Sequence, residues 1–369
     1  MIIWRQGKVT EFLGSWGQSG EYRVELEDGT LGKGLAYYQM VGQPQVGDSV
    51  LLSTAAVKRG LGTGGYMFIV AIPDRLPADP PPQPGHIVKN RYTPTQFMVQ
   101  GVDEQESPYH DVLEDADDLE GMYVVAADLH SALPAIVAGI REASPHARIA
   151  YVMGDGGALP AWFSQTATKM VDNGDILGII SYGQAFGGDL EAVNIYTGLL
   201  AAKHVWNADV AIVAQGPGNL GTGTKWGFSG TTIGEAINAA GILSGIPIAV
   251  LRMSQADNRS RHFGISHHTL RILHDIVHVP CVIPSPSFDS SFEGTTSEEL
   301  IQTVTAQLDE LRDVGNLEVH EIDANGLYDV LAGSPYSLRT MGRNLDQDTI
   351  NFIAAAAAGR CVGRLIVQR

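Results

Sequence analysis

Between Tyr123 and His268 one pattern recurs five times: an apolar run, a loop of Gly, Asp, His and Ser, then a helical stretch. Tyr123–Ala127 runs into Asp128-Leu-His130-Ser131. Arg148–Met153 runs into Gly154-Asp155-Gly156-Gly157. Asp175–Ile180 leads to the segment from Ser181 to Asp189, and Ala208–Val213 to the segment from Gln215 to Thr224. Ile246–Leu251 leads to Arg252 and then to Asp257–His268. Strand-length apolar runs alternating with helical patterns are βαβ logic, and unbroken apolarity implies strands covered on both faces. Parallel strands send such loops out of one edge, where ligands of open α/β folds bind. Asp128, His130, Asp155, Asp189, Gly218 and His267 are therefore expected to line one cleft.

The first 72 residues read differently. Short β-like runs at Lys8–Leu13, Glu21–Leu26, Leu35–Met40, Ser49–Ser53 and Tyr66–Ile72 are punctuated by turn signals at Asp28-Gly29 and Gly47-Asp48. Closely spaced short strands of this kind predict a small barrel. Residues 73–90, dense in proline, read as a semi-rigid linker. Residues 91–369 then form an α/β domain. The expected architecture is a small N-terminal β-barrel followed by a three-layer, Rossmann-like α/β domain with a mostly parallel sheet, its first strand near Gln96–Gln100. A (β/α)8 barrel is the structural alternative. Ser131, Thr232, Ser266 and Thr296 are expected helix caps, and a last helix is expected over Asp346–Ala358, stopped by Gly359.

Net charge is −17 over 369 residues. That sign repels phosphate backbones, so nucleic acid is not an expected partner. Two cysteines, Cys281 and Cys361, provide neither a disulfide framework nor a cysteine-rich zinc site. The start, Met1-Ile-Ile-Trp-Arg, has no signal-peptide pattern, and no run approaches the roughly 18 apolar residues of a membrane span. A cytoplasmic setting without a membrane partner is the expectation.

Five of the 11 histidines fall between His262 and His278. With Ser266 as N-cap, His267 and His268 open a helix whose apolar side is Leu270, Ile272, Leu273, Ile276 and Val277. His274 and His278 lie on the solvated face. The helix dipole disfavours imidazolium at such a start, and a neutral imidazole suits a metal ligand or general base. Asp128 and His130, two residues apart at a strand end, add a carboxylate and an imidazole. Asp128, His130, Asp155, His267 and His268 are the candidate catalytic residues. Asp128, His130, Asp189 and His267 are the candidate ligands for Zn²⁺, Mn²⁺ or Mg²⁺. Each has a structural alternative: a capped loop, a hydrogen bond to backbone, a polar first turn.

Gly216-Pro-Gly218-Asn-Leu-Gly221 matches G-x-G-x-x-G only formally, because no helix opens until Thr231. A broader reading keeps Gly216, Gly218, Gly221, Thr222, Thr224 and Lys225 as an anion-binding set of backbone donors, hydroxyls and one cation. Arg252, Arg259, Arg261, Arg339 and Arg343 supply guanidinium groups, most of them expected to pair with the surplus acids.

Leu61-Gly-Thr-Gly-Gly65-Tyr66, Asp128-Leu-His-Ser131, Phe186-Gly-Gly-Asp-Leu-Glu191-Ala-Val, Gly216-Pro-Gly218 with Gly221-Thr-Gly-Thr224, and Ser266-His-His268 together resemble an uncharacterised bacterial family, a domain of unknown function. The resemblance covers nearly the whole chain and brings no established activity. Three functions are carried forward. The first is an enzyme acting on a small anionic metabolite by metal-assisted or acid–base hydrolysis or transfer. The second is a nucleotide- or phosphometabolite-binding protein without catalysis. The third is a structural assembly protein using the barrel for contacts, as in a homo-oligomer.

Overall fold

The computed structural model describes residues 1–156, 159–288 and 296–369. Gly157, in one of the expected strand-end loops, lies outside them. The chain divides into two compact units: residues 1–100 with 162–169, and residues 101–161 with 170–369.

The first unit is built on a closed barrel in the order β1-β2-β3-β5-β4. Its strands are β1 (Trp4–Trp16), β2 (Ser19–Leu26), β3 (Leu31–Tyr37), β4 (Ser49–Ser53) and β5 (Tyr66–Ala71), with single-turn helices α1 (Tyr38–Val41) and α2 (Ala55–Lys58) between them. All neighbours are antiparallel except β3 and β5. Alternate residues (Val9, Tyr22, Val24, Val50, Leu52, Met67, Ile69) fill the interior. The Asp28-Gly29 signal is a true turn: Gly29 has φ +81° and donates to the Leu26 carbonyl at 2.9 Å. After the proline-rich stretch, β6 (Ile87–Lys89) and β7 (Phe97–Val99) form a separate two-stranded ribbon. The segment Gln96–Gln100 is therefore not the first strand of the main sheet. It is too short to span that sheet and pairs locally instead.

The second unit holds α3 (His110–Leu113) and then an eight-stranded parallel sheet in the order β11-β10-β9-β12-β8-β13-β16-β17. Its strands are β8 (Tyr123–Ala127), β9 (Ile149–Gly154), β10 (Ile179–Tyr182), β11 (Leu190–Ala192), β12 (Val210–Gln215), β13 (Ile246–Ala249), β16 (Cys281–Pro286) and β17 (Leu317–Ile322). Between β13 and β16 a small ribbon pairs β14 (Met253–Ser254) with β15 (Gly264–Ile265). The sheet is open, with edges at β11 and β17, so the (β/α)8 alternative is set aside.

The helices are α4 (Leu133–Ala143), α5 (Gln165–Asp172), α6 (Ile195–Leu200), α7 (Thr231–Ile242), α8 (His267–Asp275), α9 (Glu298–Arg312), α10 (Leu327–Ala332) and α11 (Thr349–Val367). Helices α4, α10 and α11 pack together, as do α6, α7 and α8. Val124, Val152, Ala211 and Val213 face the second group, packing with Leu199, Ala236 and Ala240. Their strand neighbours, Val125, Tyr151 and Ile212, therefore face the first.

From β8 the chain crosses by α4 to β9 on one side. From β12, next to β8, it crosses by α7 to β13 on the other. Right-handed crossovers in opposite directions use opposite faces, which opens a crevice between the loops after β8 and β12.

The helix boundaries correct several expectations. Ser266 caps α8 as expected, its Oγ accepting from the His268 amide at 3.3 Å. The α9 cap is Ser297, one residue beyond Thr296. Thr232 lies inside the first turn of α7, behind Gly230. Ser131 sits in a 3-10 turn and bonds Thr340 at 3.2 Å, with no capping role. Gly359 does not stop the last helix, which runs on to Val367. Among the described residues α11 is the one helix long and apolar enough to cross a membrane, and 78% of its apolar window is buried inside the protein. It is a core helix, packed on α4 and β16.

Candidate functional site

Asp128 leaves the carboxyl end of β8 with its side chain only 2% exposed. Its Oδ2 accepts from Arg252 at 3.0 Å and its Oδ1 from Asn219 at 3.0 Å. Its backbone carbonyl accepts from Gln215 at 3.2 Å. A side chain on Gly230 would collide with Oδ1, so glycine at the start of α7 makes room for the carboxylate. Both oxygens are engaged by cationic or amide donors. Asp128 therefore anchors Arg252, and its Oδ2 also lies 4.0 Å from Nδ1 of His268, at the edge of the cluster.

Three imidazoles lie beside it. Ribbon β14–β15 pairs Met253 with Ile265 and Ser254 with Gly264. It folds the intervening segment back so that His262, 1% exposed, meets the start of α8. Nδ1 of His262 shares a hydrogen bond with Ser266 Oγ at 2.8 Å. His262, His267 and His268 each bring a ring nitrogen within 4.8 Å of the others. Their ring centroids are 4.2–5.1 Å apart. Phe228, from the loop after β12, stacks on His268 at 4.0 Å with the rings 1° from parallel. Nδ1 of His267 and Nδ1 of His268 are buried without hydrogen-bond partners.

All three rings are held neutral. Burial first, then the Arg252 and Arg259 guanidinium groups, lower His262 to about 4. Burial, then His267 and Arg252, lower His268 to about 3. Burial also lowers His267, with Arg261 and Arg252 adding to it. Neutral rings keep a lone pair for an ion or a proton.

The other expected residues are distributed around this core. His130 meets Tyr151 instead, Nδ1 lying 3.0 Å from the phenolic oxygen. Tyr151 faces the α4 layer, the opposite side of the sheet from α7 and α8. Asp155 follows β9, two strands from β8, and accepts from the Gln184 amide at 2.9 Å. Asp189 is at the wrong edge. It precedes β11 and accepts from Ile179, the first residue of β10, at 2.8 Å, which places it at the amino ends of the strands. Asp189 and His130 thus lie away from the residues that converge beside Asp128, and the histidine that the fold brings to His267 and His268 is His262.

The glycine loop is likewise largely self-satisfied. Thr222 N donates to Gly227 O at 2.7 Å, the hydroxyls of Thr222 and Thr224 bond each other at 2.9 Å, and Gly227 N donates to the Thr224 hydroxyl at 3.1 Å. Ser229 N donates to Leu220 O at 2.9 Å, closing a small hairpin around Gly221, Lys225 and Trp226. A Cβ on Gly216 would fall on the Leu159 side chain at 2.7 Å, and Gly218 has φ +106°, a conformation that favours glycine. What the loop delivers is Asn219 and Phe228. Of the arginines, Arg259 forks onto Asp257 at 2.8 and 2.9 Å and Arg343 pairs with Asp348 at 3.0 Å. Arg339 donates to the Gly342 carbonyl at 3.1 Å.

His130 supports a stability test. Burial holds its imidazole down at about 4, against an ordinary value near 6.5. Between those values the unfolded chain binds a proton that the folded chain refuses. Stability is therefore fully present above 6.5 and falls as pH drops toward 4. His130→Asn removes this sensitivity, so the wild-type advantage over it at pH 7 should shrink by about 2 kcal/mol at pH 4.5. Urea unfolding of both proteins at the two pH values checks this; a pH-independent difference would refute it.

A closed five-stranded barrel and an open parallel α/β sheet, with an imidazole cluster where the crossovers diverge, define this class of two-unit protein. The chain belongs to the family described as Protein of unknown function (DUF3866), whose model matches residues 33–359. No curated protein matches it.

Proposed function

We propose that this protein is a hydrolase or group transferase that acts on a small anionic metabolite, with a divalent metal ion held by His262, His267 and His268. The observation that carries the reading is the convergence of three neutral imidazoles whose ring nitrogens lie within 4.8 Å of one another. Ligating histidines characteristically give their second ring nitrogen to a carbonyl, carboxylate or hydroxyl. His262 has such a partner in Ser266, 2.8 Å from its Nδ1. Three imidazoles suit Zn²⁺ better than the oxygen-seeking Mg²⁺ or Mn²⁺. A zinc ion with three protein ligands keeps a position for water and lowers its pKa to about 7.

The chain's own groups supply the rest. Asp128 holds Arg252 beside the cluster, and Arg261 adds a further cation next to His267. In a protein of net charge −17 that local positive field favours an anionic substrate. Phe228 fixes the plane of His268 and shields one face of the cluster from water.

Elemental analysis of protein purified without chelator, before and after dialysis against Zn²⁺, tests the reading. A single tightly held Zn²⁺ per chain is expected. Protein that stays metal-free after Zn²⁺ addition would sink it and leave a phosphometabolite-binding role ahead.

A further inference from the structure

The imidazole cluster depends on which ring nitrogen of His262 carries a proton, and one side chain bears on that choice. Ser266 is 1% exposed. Its Oγ accepts from the His268 amide at 3.3 Å and lies 2.8 Å from His262 Nδ1. A hydroxyl has one hydrogen and two lone pairs. One lone pair is taken by the amide at the start of α8. Toward His262 two arrangements remain. If Oγ donates to Nδ1, the ring proton sits on Nε2 and the ring offers an ion nothing. If Nδ1–H donates to the second lone pair, Nε2 is left bare.

We propose that Ser266 is the positioning residue of the cluster: its Oγ, fixed by the His268 amide, accepts the Nδ1–H of His262 and thereby leaves Nε2 for a divalent ion. The role rests on the metal reading above. It explains an arrangement that helix capping alone does not require. Capping needs one accepted amide, yet the same oxygen also makes the shorter bond to a fully buried ring on the preceding segment. One atom thus ties His262, brought in by the β14–β15 ribbon, to the helix that carries His267 and His268. His262 then meets the other two rings at a fixed distance and in one tautomer.

The test is a titration with Co²⁺ alone, read from its visible absorption, on wild type, S266A, S266G and S266T. Glycine retains most of the N-cap preference, so S266G loses the hydroxyl while keeping the helix start, and circular dichroism checks that it is folded. Co²⁺ affinity is expected to fall about 10–100-fold in S266A and S266G, the usual effect of losing a partner of a ligating histidine. S266T is expected to recover to within a few-fold. Nitrogen-15 spectra of the Zn²⁺-loaded wild type should show His262 protonated at Nδ1. If wild type binds Co²⁺ and S266G binds it equally well, or if the proton is found on Nε2, the role of Ser266 is overturned and the metal site stands. If wild type binds no Co²⁺, the metal reading itself falls and takes this role with it.

Discussion

His262→Ala should weaken Zn²⁺ binding by more than about 100-fold, exceeding the effect of removing a mere supporting group. Ligand number sets the size of the effect. Three imidazoles converge here, and the carboxylate nearest to them, Asp128, already has its oxygens engaged by Arg252 and Asn219. A two-imidazole remnant keeps only two of the three nitrogens that converge here, and Asp128 is already committed to Arg252 and Asn219. His267→Ala should behave similarly. His274→Ala, on the exposed face of the same helix, should leave affinity within about twofold, since surface substitutions away from special features change little. Competition with a chromogenic chelator measures all three, and circular dichroism checks that each variant is folded. Equal loss in His262→Ala and His274→Ala would point to a general effect on α8. No loss in His262→Ala would remove the site.

His262 is the member of the imidazole cluster that sequence reasoning missed, and the reason is physical. His267 and His268 follow a serine that reads as an N-cap, so a helix start could be placed and its dipole used. His262 directly follows Asp257-Asn-Arg-Ser-Arg, a polar stretch that signals an exposed loop. Its burial depends on β14 meeting β15, strands of two residues each, which leave no periodicity to detect. The spacing from His262 to Ser266 was the usable clue, because it is short enough for a turn to fold one onto the other.

Strands buried on both faces carry an unmistakable apolar run, so β8, β9, β12 and β13 were legible, as were the barrel hairpins with their Gly turns. Strand order was not. Asp189 precedes a three-residue strand whose direction is fixed by pairing with β10. Reading it as the end of a loop put it at the wrong edge of the sheet. The difference between Thr296 and Ser297 as a cap is a one-residue register that either hydroxyl fits locally. Gly359 looked like a helix stop because glycine commonly ends helices. In a long buried helix it has another use, visible only once a second helix is laid against it.

That use gives the largest stability effect expected in this protein. Gly359→Ala should destabilise the second unit by about 3 kcal/mol, the upper range for overpacking a tight contact. Helices α4 and α11 cross with backbones nearly touching. A Cβ on Gly359 would fall on the carbonyl oxygen of Ile136, and one on Gly139 would fall on that of Ala356. Both obstacles are backbone, which cannot rotate aside as a side-chain tip can. The intrinsic gain in helix propensity, about 1 kcal/mol for alanine over glycine, is too small to offset the forced separation. Gly333→Ala is the control. Its φ is −80° and its nearest non-bonded atom lies 3.4 Å from the added carbon, so it should be neutral or slightly stabilising. A fall in melting temperature of about 6–12 °C is expected for Gly359→Ala, given about 2–4 °C per kcal/mol in a unit this large. Gly139→Ala should cost a similar amount. The double variant should cost less than the sum, because helices already pushed apart by one methyl make room for the other. The separation also reaches the candidate site. Asn351, in the first turn of α11, donates to the Met253 carbonyl at 2.8 Å, next to Arg252. Moving α11 off α4 therefore pulls on the residue that pairs with Asp128, and Zn²⁺ affinity should decline alongside stability. A Gly359→Ala protein that melts at or above the wild-type temperature would show that the helices do not cross at this point.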